Sequence, residues 1–159
     1  MSFYDWLLSF HLLAAFALVA ALTIYWIVAV AARGVDRPAD SLRYFRITKP
    51  ANVAVIVGTL GTLLLGIWLA IDADAYQVWD GWMLAAIVLW AVSAETGRRG
   101  GVNYQEAEKQ AKRLVAEGRL EPNAELAARL RDRNAALLNV ASTLAILLIL
   151  IDMIWKPGA

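Results

Sequence analysis

The chain has one histidine, His11, and it lies inside a run from Trp6 to Ala32 with no Asp, Glu, Lys or Arg. Imidazole is the side chain best suited to bind a metal or move a proton near neutral pH. Far along the sequence, Asp152 and Met153 close another apolar run, and Met83 opens a third. Carried on adjacent helices, these four residues fall at matching depth, where ionisable groups are costly and by default functional. Imidazole, carboxylate and thioether together suit copper, the thioether favouring the cuprous ion. Alternatively His11 is an axial ligand to haem iron. A third reading has His11 and Asp152 hydrogen-bonding each other or interfacial water, which orients two helices; a fourth is proton-linked transport. No HxxxH, CxxC or Met-rich run adds ligands, and the lack of cysteine removes disulfides and thiolate chemistry.

The elements that position these residues read as membrane spans. Hydrophobic residues make up 60% of the 159 and come in blocks, above the roughly 45–50% of a soluble domain. The first block, 6–32, is roughly 40 Å long as a helix, more than the roughly 30 Å hydrocarbon layer requires. Arg33, the first basic residue, follows this block. It therefore reads as a retained span, not a secretory signal, whose basic region comes first.

Charge, Gly34 and Pro38 end the first span, and a basic loop is expected over 33–49. Pro50 suits the first turn of a second helix, whose span is 51–71. In it Ala54, Gly58, Thr62 and Gly66 recur every fourth residue, a small-residue face for close helix packing within the subunit or in a homodimer. Asp72, Asp74 and Asp80 make the next connection acidic. The third span, 81–96, is the shortest, and from Trp82 it offers only about 24 Å, which calls for local thinning or an upright helix.

Gly100-Gly101 is expected to break the chain, and a helical segment of about 103–133 follows. Tyr104 to Glu117 places Ala107, Ala111, Leu114 and Val115 on one side and charges on the other. Gly118 and Pro122 punctuate it. A second stretch, with Asn123 as N-cap, runs through Leu126 and Leu130 and is expected to pass unbroken into the fourth span, 135–155, closed by Trp155, Lys156 and Pro157.

Charge sets the orientation. The connections 33–49 and 97–134 hold fourteen of the fifteen basic residues, and only Lys156 lies at the other end, with Asp5, Asp72, Asp74 and Asp80. Short loops rich in Lys and Arg stay cytoplasmic. Both termini then face outward, Trp6, Trp79, Trp82 and Trp155 form an outer aromatic belt, and a bacterial-type plasma membrane is expected.

With His11 as reference, Ala14, Ala15, Leu18, Ala21, Leu22 and Tyr25 follow at helical spacing. An alanine-rich stripe faces a partner helix more often than lipid, so His11 is expected to point inward. Asn139, Ser142 and Thr143 read as glue between helices, and Glu95 as the partner of a nearby arginine. The 103–133 segment reads as a solvated face with internal ion pairs, since its six acids nearly cancel its seven bases. Attraction to phosphate or anionic lipid is its alternative. Nothing in the chain suggests nucleic-acid binding, a phosphate loop or a Ser-His-Asp set.

The opening Trp6-Leu-Leu-Ser-Phe-His11-Leu-Leu-Ala-Ala, the span Gly58-Thr-Leu-Gly-Thr-Leu-Leu-Leu-Gly66 and the closing Asp152-Met-Ile-Trp-Lys156-Pro157-Gly158 resemble a group of predicted bacterial integral membrane proteins of about this size. That group is distantly similar to the copper-resistance D family and to the haem-carrying membrane protoporphyrinogen oxidases. The resemblance carries over His11, Lys156 and Pro157, and implies haem or copper as cofactor. It leaves a second axial ligand to a methionine or to His11 of another copy. The resulting expectation is an all-α, four-helix transmembrane bundle, N-out and C-out, with a cytoplasmic helical extension between spans three and four. It would bind a metal ion or haem near His11, with His11, Met83, Asp152 and Met153 as the metal candidates. The alternatives are a haem-dependent oxidoreductase of the protoporphyrinogen type and a small-solute or ion permease.

Overall fold

A computed structural model describes residues 2–72, 77 and 79–157; Asp74 of the acidic connection and Gly158 of the closing motif lie outside the described residues. Among those residues the fold is all-helical: α1 (Phe3–Ala32), α2 (Pro38–Asp72), α3 (Gly81–Ala116), α4 (Ala124–Leu130) and α5 (Arg133–Trp155). Ser2 opens α1 with a capping box, its Oγ accepting from the Asp5 N–H at 3.2 Å while Asp5 accepts the Ser2 N–H at 2.7 Å.

Three stretches are long and apolar enough to cross a membrane: α1, α2 and Ala124–Trp155, which contains α5. No more than 22% of the apolar window of each is buried. Phe16, Val30, Val53, Leu64, Leu137 and Ile154 all stand exposed. A soluble protein buries such residues; a belt of them around helices is what a lipid solvent accommodates.

Helix α1 packs along α2, α3 packs along α5, and a lighter α2–α3 contact joins the two pairs. At one end Ala32, Phe45, Ala107, Ala111, Leu126 and Leu130 form a buried core. The basic connections meet there: the Arg131 Nε donates to the Arg33 carbonyl at 2.8 Å, and the Asn103 amide donates to the Arg129 carbonyl at 2.7 Å. At the other end Ala70, Trp82 and Met83 are buried together, with Ile87 and Met153 against them.

Helix bounds depart from expectation in three places. Much of the stretch 33–49 is helix, not loop. Pro38 starts α2, its fixed φ suiting the first turn, and Pro50 sits inside the helix. Pro50 is exposed, so its ring and the carbonyl left without an N–H partner lie on the outer face, where the helix accommodates them. The 51–71 span is thus the apolar part of a 35-residue helix. Second, α3 runs straight through Gly100-Gly101 for 36 residues, about 54 Å. These glycines do not break the chain, because α5 covers Gly100 and both neighbouring turns propagate the helix. Third, the chain does break before the last span. Helix α4 ends at Leu130, and Asp132 caps α5, its Oδ1 accepting from the Ala135 N–H at 2.6 Å. Asn123 caps α4 as expected.

Candidate functional site

The stripe on α1 faces the protein interior. Leu7, Ala14, Leu18 and Ala21 are buried, and His11 is half-buried between them. What receives His11 is the small-residue face of α2. A Cβ added at Gly66 would stand 3.1 Å from His11 Cε1 and 3.5 Å from Nδ1, so the missing side chain makes the room the ring occupies. The imidazole also lies against the Thr62 backbone, while Nδ1 is buried with no hydrogen-bond partner at normal distance. Gly58 and Gly66 of the every-fourth-residue pattern are therefore used within the subunit, against α1.

One turn beyond Gly66 on the same helix face, Ala70 packs with Trp82 and Met83, and Met153 joins them from α5. Asp152 is 9% exposed, its Oδ2 buried without a partner. The Lys156 N–H donates to its carbonyl at 2.8 Å in a left-handed C-terminal cap (Lys156 φ 40°). The Lys156 ammonium stands 5.5 Å from the centroid of the Trp82 ring, a cation–π distance. The four residues singled out in the sequence thus gather at one end in two sets, His11 on α1 against α2, and Met83 of α3 with Asp152 and Met153 of α5. Among the described residues no group of three or more His, Cys, Asp or Glu side chains is arranged to hold a metal ion.

The expected belt of tryptophans is altered. Trp6, Trp79 and Trp155 are exposed, but Trp82 is 4% exposed and belongs to the core. Trp68 stands exposed instead, its ring 5.7 Å from that of Phe3.

The polar residues deeper in the helices join them. The hydroxyl of Ser142 donates to the Ser93 carbonyl at 2.9 Å, and the two hydroxyls lie 3.1 Å apart. Thr143 accepts the Trp26 indole N–H at 2.9 Å, linking α1 to α5. The Trp90 indole donates to the Thr59 carbonyl of α2, also at 2.9 Å. Asn139 lies against Gly100 and Ser142 against Gly97. Ser93, Gly97 and Gly100 form a small-residue stripe at spacings of four and three, a signal present in the sequence but hidden by reading the glycines as a break. The indole donors carry no such signal, since tryptophan in a membrane helix reads first as an interfacial anchor.

On the charged segment Glu95 accepts from both Arg98 (2.8 Å) and Arg99 (2.6 Å). Lys109 pairs with Glu106 at 2.8 Å and Lys112 with Glu108 at 2.6 Å. The Lys109 ammonium beside Glu106 holds that carboxyl below its ordinary value of 4.5. This is the solvated, internally paired face that the alternating charges suggest.

No protein-family model matches the chain, and neither does any curated protein or solved structure. Fold and geometry thus carry the functional reading alone.

Proposed function

We propose that this is a four-span integral membrane protein of a bacterial-type plasma membrane, both termini outside, in which His11 would hold haem through its iron in the outer half. The observation that carries the reading is the seat of the imidazole. With Cε1 and Nδ1 against Gly66 and the ring beside the Thr62 backbone, packing against α2 holds the imidazole in one orientation. Holding a ring in a set orientation is part of how proteins prepare a histidine for iron. A bare copper ion needs several donors converging on a point, and among the described residues no three His, Cys, Asp or Glu side chains converge. Haem needs only one or two from the protein. The second would come from a methionine or from His11 of another copy in a homodimer. Bound iron would supply one-electron exchange; this chain's part is to orient the imidazole and to exclude water with the apolar walls of α1 and α2.

The four-span topology draws support from the apolar first turns of α3, the Ser93–Ser142 contact that beds them on α5, and the basic connections gathered at one end. The test is an absorption scan of the purified protein, before and after adding haem. A Soret band that His11→Ala abolishes and Asp152→Asn retains is expected. No band in either preparation, or a band indifferent to His11, overturns the assignment; stoichiometric copper by elemental analysis would replace it with the bare-ion reading.

A further inference from the structure

Helices α3 and α4 enclose a cleft of about 300 Å³ lined by Glu106, Lys109, Gln110 and Arg113 of α3 and by Glu125 and Arg129 of α4. Spacing makes it. Residues 106, 109, 110 and 113 share one face of α3 over about 10 Å, and 125 and 129 stand about one turn apart on α4. Beneath them Ala107, Ala111, Leu126 and Leu130 pack the two helices together. The Asn103 amide holds the Arg129 carbonyl at 2.7 Å, so the walls are fixed. Gln110 lies about 22 Å along α3 from Glu95, the first charge on that helix, where the lining is charged and open to water.

Gln110 is out of keeping with its place. The buried stripe here is Ala107, Gln110, Ala111 and Leu114, which leucine or alanine would complete with no polar group to satisfy. Instead a side chain 9% exposed carries an Oε1 buried without a hydrogen-bond partner. Across the cleft the Arg129 Nε is likewise buried and unpartnered. A buried acceptor and a buried donor left unmade both destabilise the fold, and these two belong to side chains lining the same cleft. Lys109 is satisfied by Glu106 at 2.8 Å. Arg129 meets Glu125 only at 3.5 Å, and Arg113 meets Glu117 only at 3.9 Å, so the two guanidiniums keep most of their N–H donors.

We propose that this cleft binds a small hydroxylated monocarboxylate from the aqueous phase, its carboxylate held by Arg113 and Arg129 and a hydroxyl by the Gln110 amide. Three cations against two carboxylates leave the lining one positive charge in excess, which matches a monoanion. A phosphate ester, close to a dianion at neutral pH, would meet Glu106 and Glu125 as like charges. Guanidinium forks suit a carboxylate. Hydroxyls both donate and accept, and a half-turn of the Gln110 amide exchanges its oxygen and nitrogen, so a hydroxyl can pair with either. The wall has no apolar member, which favours a hydroxyl-rich ligand over a greasy one.

Titration calorimetry of the full chain in detergent with glycerate, propionate and inorganic phosphate tests it. Glycerate and propionate share a carbon skeleton and a carboxylate and differ only in hydroxyls. One glycerate per chain, bound about tenfold more tightly than propionate or phosphate, is expected, the worth of a hydrogen bond supplied to a buried group. Gln110→Leu, which completes the apolar stripe, should erase the difference between glycerate and propionate. Arg129→Gln should weaken glycerate by about tenfold, while Arg133→Gln, a cation of the same end outside the cleft, should leave it unchanged. Equal binding of glycerate and propionate would mean charge attraction alone and overturn the proposal. Phosphate bound more tightly than glycerate would overturn it in favour of a phosphate site. Binding of none of the three would mean that water alone satisfies Gln110, and would overturn it too. These wild-type comparisons need no variant to fold and no cofactor at His11, so they fail or succeed apart from the haem reading.

Discussion

Gly58 meets Leu18 across the α1–α2 interface so closely that a Cβ at position 58 would stand 2.8 Å from the Leu18 Cβ and 2.9 Å from both the Leu18 nitrogen and the Ala14 carbonyl oxygen. None of these atoms belongs to a flexible side-chain end, so the helices themselves would have to part. Gly58→Ala should therefore destabilise by about 1–3 kcal/mol, the usual cost of overpacking. Gly101 has nothing within 4 Å of its would-be Cβ. Gly101→Ala should stabilise α3 by about 0.5–1 kcal/mol through reduced backbone freedom. Thermal unfolding in detergent, followed by tryptophan fluorescence, compares the two directly. Equal effects would mean that the α1–α2 contact is looser than drawn.

The α3–α5 contact should respond differently, because hydroxyls share it. Ser93 and Ser142 each reach the other's carbonyl, at 3.2 and 2.9 Å. Either Ser→Ala change leaves one of these bonds in place, so each single variant should cost well under the double. Each loss should cost about 0.6–1.7 kcal/mol, the range for hydrogen bonds between membrane helices, and the two should be nearly additive, because each hydroxyl's carbonyl acceptor survives the other substitution. No loss from either variant would show that the hydroxyls bond only within their own helices.

How much of this was legible follows from which forces left marks in the sequence. Of the α1 stripe, Ala14, Leu18 and Ala21 are buried; it was readable because small residues on one side of an apolar helix mark a packing face. The core residues Ala107, Ala111, Leu126 and Leu130 were readable because in a polar stretch the apolar residues show the ordinary helical periodicity. The helix through Pro50 was not, since a proline ahead of an apolar run reads as a first-turn residue, whereas the lost N–H and the crowded carbonyl of an interior proline are tolerated here at an exposed position. Nor was Gly100: glycine in a polar stretch signals a turn, while glycine under Asn139 signals contact, and only the partner tells them apart. The site was legible at His11 and Gly66 separately. That one is the seat of the other depends on the register of α1 against α2, which no local pattern encodes.

The core at the basic end should give way at alkaline pH. Burial pushes the Tyr104 phenol above its ordinary value of 10.0, with Arg33 opposing and Asp132 adding to the shift. A raised value in the folded state means that the neutral phenol is favoured there. Its stabilising contribution is complete below about pH 10 and is lost as pH rises through the folded-state value. The phenolate absorbance of Tyr104, isolated as the difference from Tyr104→Phe, should therefore titrate above that of a free tyrosine. The melting temperature of Tyr104→Phe should fall less steeply on that limb than that of wild type. Coincident curves would mean that Tyr104 is solvated and that the Leu126–Leu130 core does not cover it.

The fit of His11 to Gly66 can be tested as a pair, whether or not a ligand is bound. Gly66→Ala would put a methyl carbon 3.1 Å from Cε1, tighter than ordinary contact, so the ring must tilt or α1 must shift by a few tenths of an ångström. In wild type this should cost stability. Where haem binds, it should also move the Soret maximum, because the imidazole plane turns. In a His11→Ala background the same methyl meets open space, and it should be neutral or fill part of the void. The coupling between the two positions should thus fall in the range of about 0.5–3 kcal/mol seen for residues in direct contact. Additive effects of Gly66→Ala and His11→Ala would place the imidazole elsewhere than in the gap that Gly66 leaves, and the reading of residue 11 as an oriented ligand would lose its support.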